Sequence, residues 1–218
     1  MEIKAVLFDL DGTLIDSSPG ITRSAVYALN HYGIEVDNPE SLKCFIGPPL
    51  FSSFEKYYDF SHEKALEAVE IFRERYNVKG FLECELYPGV KECLAELKNK
   101  GYVICLASSK PEVTCKKILE YHDILKYFDC VTGSTFDGRI ETKEQVLNEL
   151  FRRCSDIGTD EMILIGDTVF DAEGAGKVGI RSIAVSFGFG SAEDMLKAGS
   201  LAVCDELSRL PDLIDGLK

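Results

Sequence analysis

Residues 3–14 read Ile3-Lys4-Ala5-Val6-Leu7-Phe8-Asp9-Leu10-Asp11-Gly12-Thr13-Leu14. A short apolar run, Ile3–Phe8, stops abruptly at two carboxylates separated by one residue. Apolar runs without strict alternation suit strands buried on both faces, as in a parallel sheet. In extended backbone, Asp9 and Asp11 would project to one face. Adjacent carboxylates repel each other unless a cation neutralises them. The same string also admits a plain turn that caps a helix, so the rest of the chain must decide its meaning.

Further apolar runs follow at Tyr102–Ala107, Phe128–Thr132, Met162–Ile165, Ile180–Val185 and Leu201–Val203. Helical patterns lie between them. Val90–Lys100 places Val90, Cys93, Leu94 and Leu97 on one face, and Gly101 ends it. Pro111 suits the first turn of the next helix. Thr142 and Gln145 form a capping-box pattern ahead of Val146, Leu147, Leu150 and Phe151. Ser191 caps a short helix that stops at Gly199. Strand alternating with helix predicts an α/β fold, a doubly wound parallel sheet.

One stretch breaks the alternation. From Asp16 to Glu85 the patterns are helical only: Ala25, Val26, Leu29 and Tyr32 form one stripe, and Ala65, Leu66, Val69, Phe72 and Tyr76 another. The expected organisation is a core domain of residues 1–15 and 86–218 with an inserted helical domain at 16–85. The hinges would fall near Asp16–Ser18 and Glu83–Pro88.

Bulk properties narrow the function. The formal net charge is -13, which repels polyphosphate backbones and argues against a nucleic-acid partner. No apolar run approaches the roughly 18 residues of a membrane span. The N-terminus lacks the features of a secretion signal. The eight cysteines form no CxxC pair and no zinc pattern with histidine. Free thiols in a reducing, cytoplasmic setting are the expectation.

Ligands of open α/β sheets bind beyond the carboxyl ends of the strands. The second long run ends in Ser108-Ser109-Lys110, and a later loop leads to Thr142-Lys143. The fourth ends in Gly166-Asp167-Thr168-Val169-Phe170-Asp171. Asp9, Asp11 and Asp167 thus converge on one edge, an oxygen-rich and nitrogen-poor set that suits Mg²⁺ with a phosphate. Lys110 and Lys143 both compete to neutralise such an anion. Lys143 is favoured because it opens a helix, whose N-terminus also attracts anions.

Taken together, DLDGT, a serine after the second run, a lysine opening a helix, and GDTVFD resemble the haloacid dehalogenase-like hydrolase superfamily. The helical insert resembles its type 1 cap. FIGPPL (Phe45–Leu50) and GSTFDGRIETK (Gly133–Lys143) resemble the phosphoglycolate phosphatase and 5'-nucleotidase-like branch. The resemblance implies a Mg²⁺-dependent phosphomonoester hydrolase acting on a small phosphorylated metabolite. In it Asp9 is the nucleophile that becomes an aspartyl-phosphate, and Asp11 is the acid and base. Mg²⁺ is held by Asp9, the backbone carbonyl of Asp11, and Asp167, with Asp171 behind them. Ser108, Ser109 and Lys143 bind the phosphoryl group.

Other readings share these motifs. A pyrophosphatase or a 5'-nucleotidase differs only in substrate. A phosphomutase would need the cap to shelter a phosphorylated intermediate. A phosphonatase would need a Schiff-base lysine, and none of Lys43, Lys56, Lys64 or Lys79 stands out. A binding protein on the same fold would need no chemistry. The Gly47-Pro48-Pro49 turn is a candidate to project a specificity loop, and cap closure would exclude water.

Overall fold

The computed structural model describes residues 2–217. The chain divides into two compact units, Met1–Ile15 with Leu86–Lys218, and Asp16–Glu85. It opens with strand β1 (Ala5–Phe8) and the short β2 (Ile15–Asp16). The second unit then runs through helix α1 (Ser18–His31), a 3₁₀ turn at Pro39–Phe45, α2 (Leu50–Tyr58) and α3 (His62–Tyr76). The chain returns at β3 (Glu85–Leu86), which pairs with β2 in a two-stranded sheet.

From there the pattern alternates. It runs α4 (Val90–Asn99), β4 (Val103–Pro111), α5 (Glu112–Tyr121), β5 (Cys130–Ser134) and α6 (Lys143–Arg153). It continues with β6 (Met162–Gly166), α7 (Val169–Lys177), β7 (Arg181–Val185), α8 (Ala192–Lys197), β8 (Val203–Cys204) and α9 (Leu210–Asp215). The main sheet has the order β5-β4-β1-β6-β7-β8, and its neighbouring strands pair in parallel. The α/β expectation is met. β1 lies centrally, with Phe8 opposite Leu106 on one side and Ile165 on the other. The chain builds outward from β1 in one direction and then in the other, so the switch point of the topology falls at the end of β1.

The core follows from the unbroken apolar runs. Val6, Leu7, Phe8, Ile104, Leu106, Ile163 and Leu164 are fully buried. Behind one face, Val146, Leu147 and Leu150 of α6 pack with Leu7, Cys105 and Leu164. In the helical unit, Phe54 stacks on Phe60 with centroids 5.8 Å apart, and Arg75 donates to Ser24 Oγ and Glu83 Oε1. Among the described residues no helix is long and apolar enough to cross a membrane.

Several local expectations need correction. β4 extends to Pro111, which pairs with Ser134 past a register shift. Pro111 therefore closes the strand, with φ -54° and ψ 131°, and precedes the helix instead of sitting in its first turn. β5 starts at Cys130 rather than Phe128, because Leu125–Tyr127 forms a 3₁₀ turn and Asp129 Oδ2 accepts the Ile104 amide at 2.8 Å. Leu66 is exposed, and α3 buries Ala65, Ala68, Val69, Ile71, Phe72 and Tyr76 instead. The apolar stripe runs through the i+3 and i+4 neighbours of Ala65, and Leu66 lies about 100° around the helix from it. All eight cysteines are free, and Cys105 and Cys154 place their sulfurs 4.0 Å apart.

The capping box at the start of α6 is formed, with Thr142 Oγ1 accepting from Gln145 N at 3.3 Å. Thr142→Ala is expected to lower stability by about 0.5–2 kcal/mol. Urea unfolding would show a lower midpoint with an unchanged slope; an unmoved midpoint would show that packing of α6 carries that helix end alone.

Candidate active site

Each side chain of interest sits where a strand or helix of the main sheet ends. Asp9 follows β1 directly, and its backbone amide donates to Ile165 O at 2.9 Å, extending the β1–β6 ladder by one residue. Asp167 follows β6, and Asp171 lies in the first turn of α7. Ligand oxygens of Asp9, Asp167 and Asp171 all fall within 4.8 Å of one another, and all three residues are buried. Asp11 stands apart from that trio and is only partly buried.

Lys143, the first residue of α6, enters the trio from the other side. Its Nζ donates to Asp9 Oδ1 at 2.6 Å and to Ala107 O at 2.8 Å. It also lies 2.7 Å from Asp171 Oδ1, an ion pair by distance but out of hydrogen-bond alignment. The other oxygen, Asp171 Oδ2, accepts from the Thr168 amide and hydroxyl at 3.1 and 2.9 Å, bracing the start of α7. Lys110, the competing lysine, donates to Asp11 Oδ1 at 2.6 Å. The two lysines therefore serve different carboxylates.

Ser108 is buried, and its Oγ accepts the Lys110 amide at 3.3 Å. Its own O–H is left as a donor toward a ligand. Ser109 is exposed, outside this buried group.

The resemblance placed Asp171 behind the cation ligands; one of its carboxylate oxygens lies within 4.8 Å of oxygens of Asp9 and Asp167. The loop after β7, Phe187–Gly190, was not singled out at all. The Phe189 amide donates to Asp167 Oδ2 at 2.8 Å, and Thr13 Oγ1 approaches Asp167 Oδ1 at 3.4 Å. A side chain at Gly188 would place Cβ 2.3 Å from Asp167 Cβ. The signal was available in Phe187-Gly188-Phe189-Gly190, alternating glycines just past a strand, a pattern that marks close backbone approach. Gly12 has φ +81°, and a Cβ there would lie 2.0 Å from Asp167 Oδ2. The DxDG glycine thus serves both the turn and the room for Asp167.

Burial dominates the electrostatics. It raises Asp9 to about 6, against the pull of Lys143 and with the help of the Asp171 charge. It pushes Asp167 up to about 8, reinforced by Asp171 and Asp9. Burial opposes the charge on Lys143, but Asp171 and Asp9 outweigh it and hold its pKa above the ordinary lysine value. One ammonium does not balance three carboxylates. An all-oxygen set with a buried, unaligned Asp171 Oδ1 fits a hard divalent cation, which favours oxygen ligands.

A family model described as haloacid dehalogenase-like hydrolase matches residues 6–185. The chain is 35% identical to a 5'-nucleotidase of Pseudomonas aeruginosa, covering 96% of this chain and 95% of that protein. It is 31% identical to the tyrosine-protein kinase PtkA of Mycobacterium tuberculosis, over 97% of this chain and 72% of that one. It is 30% identical to a phosphoglycolate phosphatase of Vibrio parahaemolyticus, over 98% and 96%. A solved structure of a predicted phosphatase from Clostridium acetobutylicum matches with TM-score 0.92 at 40% identity, covering 99% of this chain and 100% of that one.

The raised carboxylates have a consequence for stability. A carboxyl whose folded pKa exceeds its unfolded value near 4 favours folding while protonated, so folding loses stability as pH rises through the folded values. For Asp9 and Asp167 those values are about 6 and about 8. Chelator-treated protein is therefore expected to melt at lower temperature at pH 8 than at pH 5. Added Mg²⁺ should recover more at pH 8 than at pH 5. Thermal unfolding with and without Mg²⁺ checks both, and a melting temperature indifferent to pH and Mg²⁺ would contradict the reading of the trio.

Proposed function

The chain belongs to the haloacid dehalogenase-like hydrolase family, and from that premise we propose that it hydrolyses small phosphomonoesters with Mg²⁺ through a phosphoryl group carried on Asp9. It is a phosphatase. The observation that carries the finer reading is the Asp9 carboxylate, buried at the switch point beside Asp167 and Asp171 and held 2.6 Å from Lys143.

Asp9, Asp167 and Asp171, with the backbone carbonyl of Asp11, would hold the ion, and bound Mg²⁺ supplies positive charge that screens the nucleophile from the phosphate it attacks. An Asp9 oxygen forms the new bond to phosphorus as the ester P–O bond breaks. Asp11 gives its proton to the departing alcohol oxygen. Water then attacks phosphorus, Asp11 takes a proton back, and the Asp9–phosphorus bond breaks to release inorganic phosphate. Splitting the reaction in two replaces one difficult displacement by two easier ones. Ser108 donates a hydrogen bond from its hydroxyl to a phosphoryl oxygen, and Lys143 offsets charge at Asp9 and on the phosphoryl group. The 5'-nucleotidase and phosphoglycolate phosphatase relatives support a small phosphomonoester as the substrate class.

The test is phosphate release with Mg²⁺ from nucleoside 5'-monophosphates, 2-phosphoglycolate, sugar phosphates and pyrophosphate. Asp9→Asn is expected to lower kcat by roughly three orders of magnitude or more. Asp11→Asn should lower turnover by roughly 10² to 10⁴ while substrate binding persists. An active Asp9→Asn protein would rule out the nucleophile, and a loss under about tenfold in Asp11→Asn would mean that another group moves the proton.

A further inference from the structure

Four carboxylates and two lysines meet at the carboxyl edge of the main sheet, and the lysines divide them. Lys143 serves Asp9 and Asp171. Asp11 Oδ1 instead receives Lys110 Nζ at 2.6 Å, from a residue 99 positions further along the chain. The pair is sheltered, with 8% of the Lys110 side chain and 19% of the Asp11 side chain exposed. The backbone amide of Lys110 donates to Ser108 Oγ. One residue therefore orients, by two different groups, both the hydroxyl assigned to the phosphoryl oxygens and the carboxyl assigned to the proton.

The geometry points to Lys110 as a positioning residue for Asp11. Its ammonium holds the Asp11 carboxylate toward the end of β4, apart from the trio of Asp9, Asp167 and Asp171. A charge-assisted hydrogen bond is short and directional, so it sets orientation as well as charge. Without it, a sheltered carboxylate swings toward the nearest other positive charge or toward water. Asp9, Asp167 and Asp171 repel an ionised Asp11, so an unanchored Asp11 turns out to water and no longer faces the leaving oxygen. A misplacement of about 1 Å is enough to cost on the order of 10²-fold in rate. This role rests on the proposed function, because it presumes that Asp11 delivers the proton.

Leaving groups separate positioning of the acid from general damage. An alkyl alcohol needs a proton as it departs. A nitrophenol departs as a stabilised phenolate and depends little on an acid. We would compare kcat/KM for p-nitrophenyl phosphate and for the nucleoside 5'-monophosphate that the wild type turns over best. The proteins are wild type, Lys110→Met, Lys110→Gln, Lys110→Arg, Asp11→Asn and the double variant of Lys110→Met with Asp11→Asn.

The ratio of alkyl to aryl turnover is expected to fall by about 10- to 100-fold in Lys110→Met and Lys110→Gln, within the range that acid–base catalysis supplies. Lys110→Arg should recover most of the ratio. The double variant should show no further fall in the ratio beyond Asp11→Asn alone, because both changes remove one function. The Mg²⁺-dependent rise in melting temperature should persist in Lys110→Met, whose trio is intact. Equal losses on both esters would overturn the proposal and make Lys110 a phosphoryl-binding group. Loss of the Mg²⁺ effect would overturn it in favour of a role in cation binding. A wild type that releases phosphate from neither ester would overturn the proposed function itself, an outcome distinct from both.

Discussion

Three buried carboxylates around one buried ammonium are the constraint on which the rest of this molecule depends. Asp9, Asp167 and Asp171 repel one another, and burial removes the water that would soften the repulsion. Such a cluster persists only where rigid elements hold its members in place. The sheet order provides that. β1 lies between β4 and β6, so the residue after β1 and the residue after β6 must emerge side by side. The start of α6 brings Lys143 to them, and the start of α7 brings Asp171. The apolar core behind β1 and β6 thus stabilises an arrangement that electrostatics alone would scatter.

The same constraint leads to chemistry. A site that is short of positive charge is prepared for a cation, and a cation together with Lys143 is prepared for a phosphate. Asp9 shares Lys143 with Asp171, at 2.6 and 2.7 Å. Asp11 has its own lysine and stands outside the trio. Two acidic residues separated by only one position therefore occupy two electrostatic settings, and a difference of setting is how a fold assigns two roles to one residue type. Membership of the haloacid dehalogenase-like hydrolase family and the match to a solved phosphatase at TM-score 0.92 accord with a phosphatase.

Much of the architecture was legible because the parallel sheet leaves a plain mark. Strands such as Val6–Phe8 and Ile163–Ile165 are buried on both faces and so read as unbroken apolar runs. The capping box of Thr142 and Gln145 was equally local and equally clear. Errors came where tertiary contacts overrode a local pattern. Pro111 was extended because β4 keeps pairing with β5 past a bulge. β5 began late because Asp129 turns its carboxylate to the Ile104 amide. Leu66 is apolar but faces outward, since the helix has only one buried stripe and smaller residues fill it.

By itself the sequence determined the period of the longer elements, the alternation of strand and helix in the core, and which chemical groups stand at the ends of apolar runs. These are short-range properties, set by residues within a few positions of one another. Only the tertiary structure decided which lysine meets which carboxylate, because Lys143 is 134 positions from Asp9 and Lys110 is 99 from Asp11. It alone brought Asp171 within 4.8 Å of Asp9 and Asp167, and it alone aimed the Phe189 amide at Asp167. Burial decided the rest: the upward shift of Asp9 and Asp167 comes chiefly from lost solvation. No local pattern encodes how much water a side chain loses when distant strands close around it.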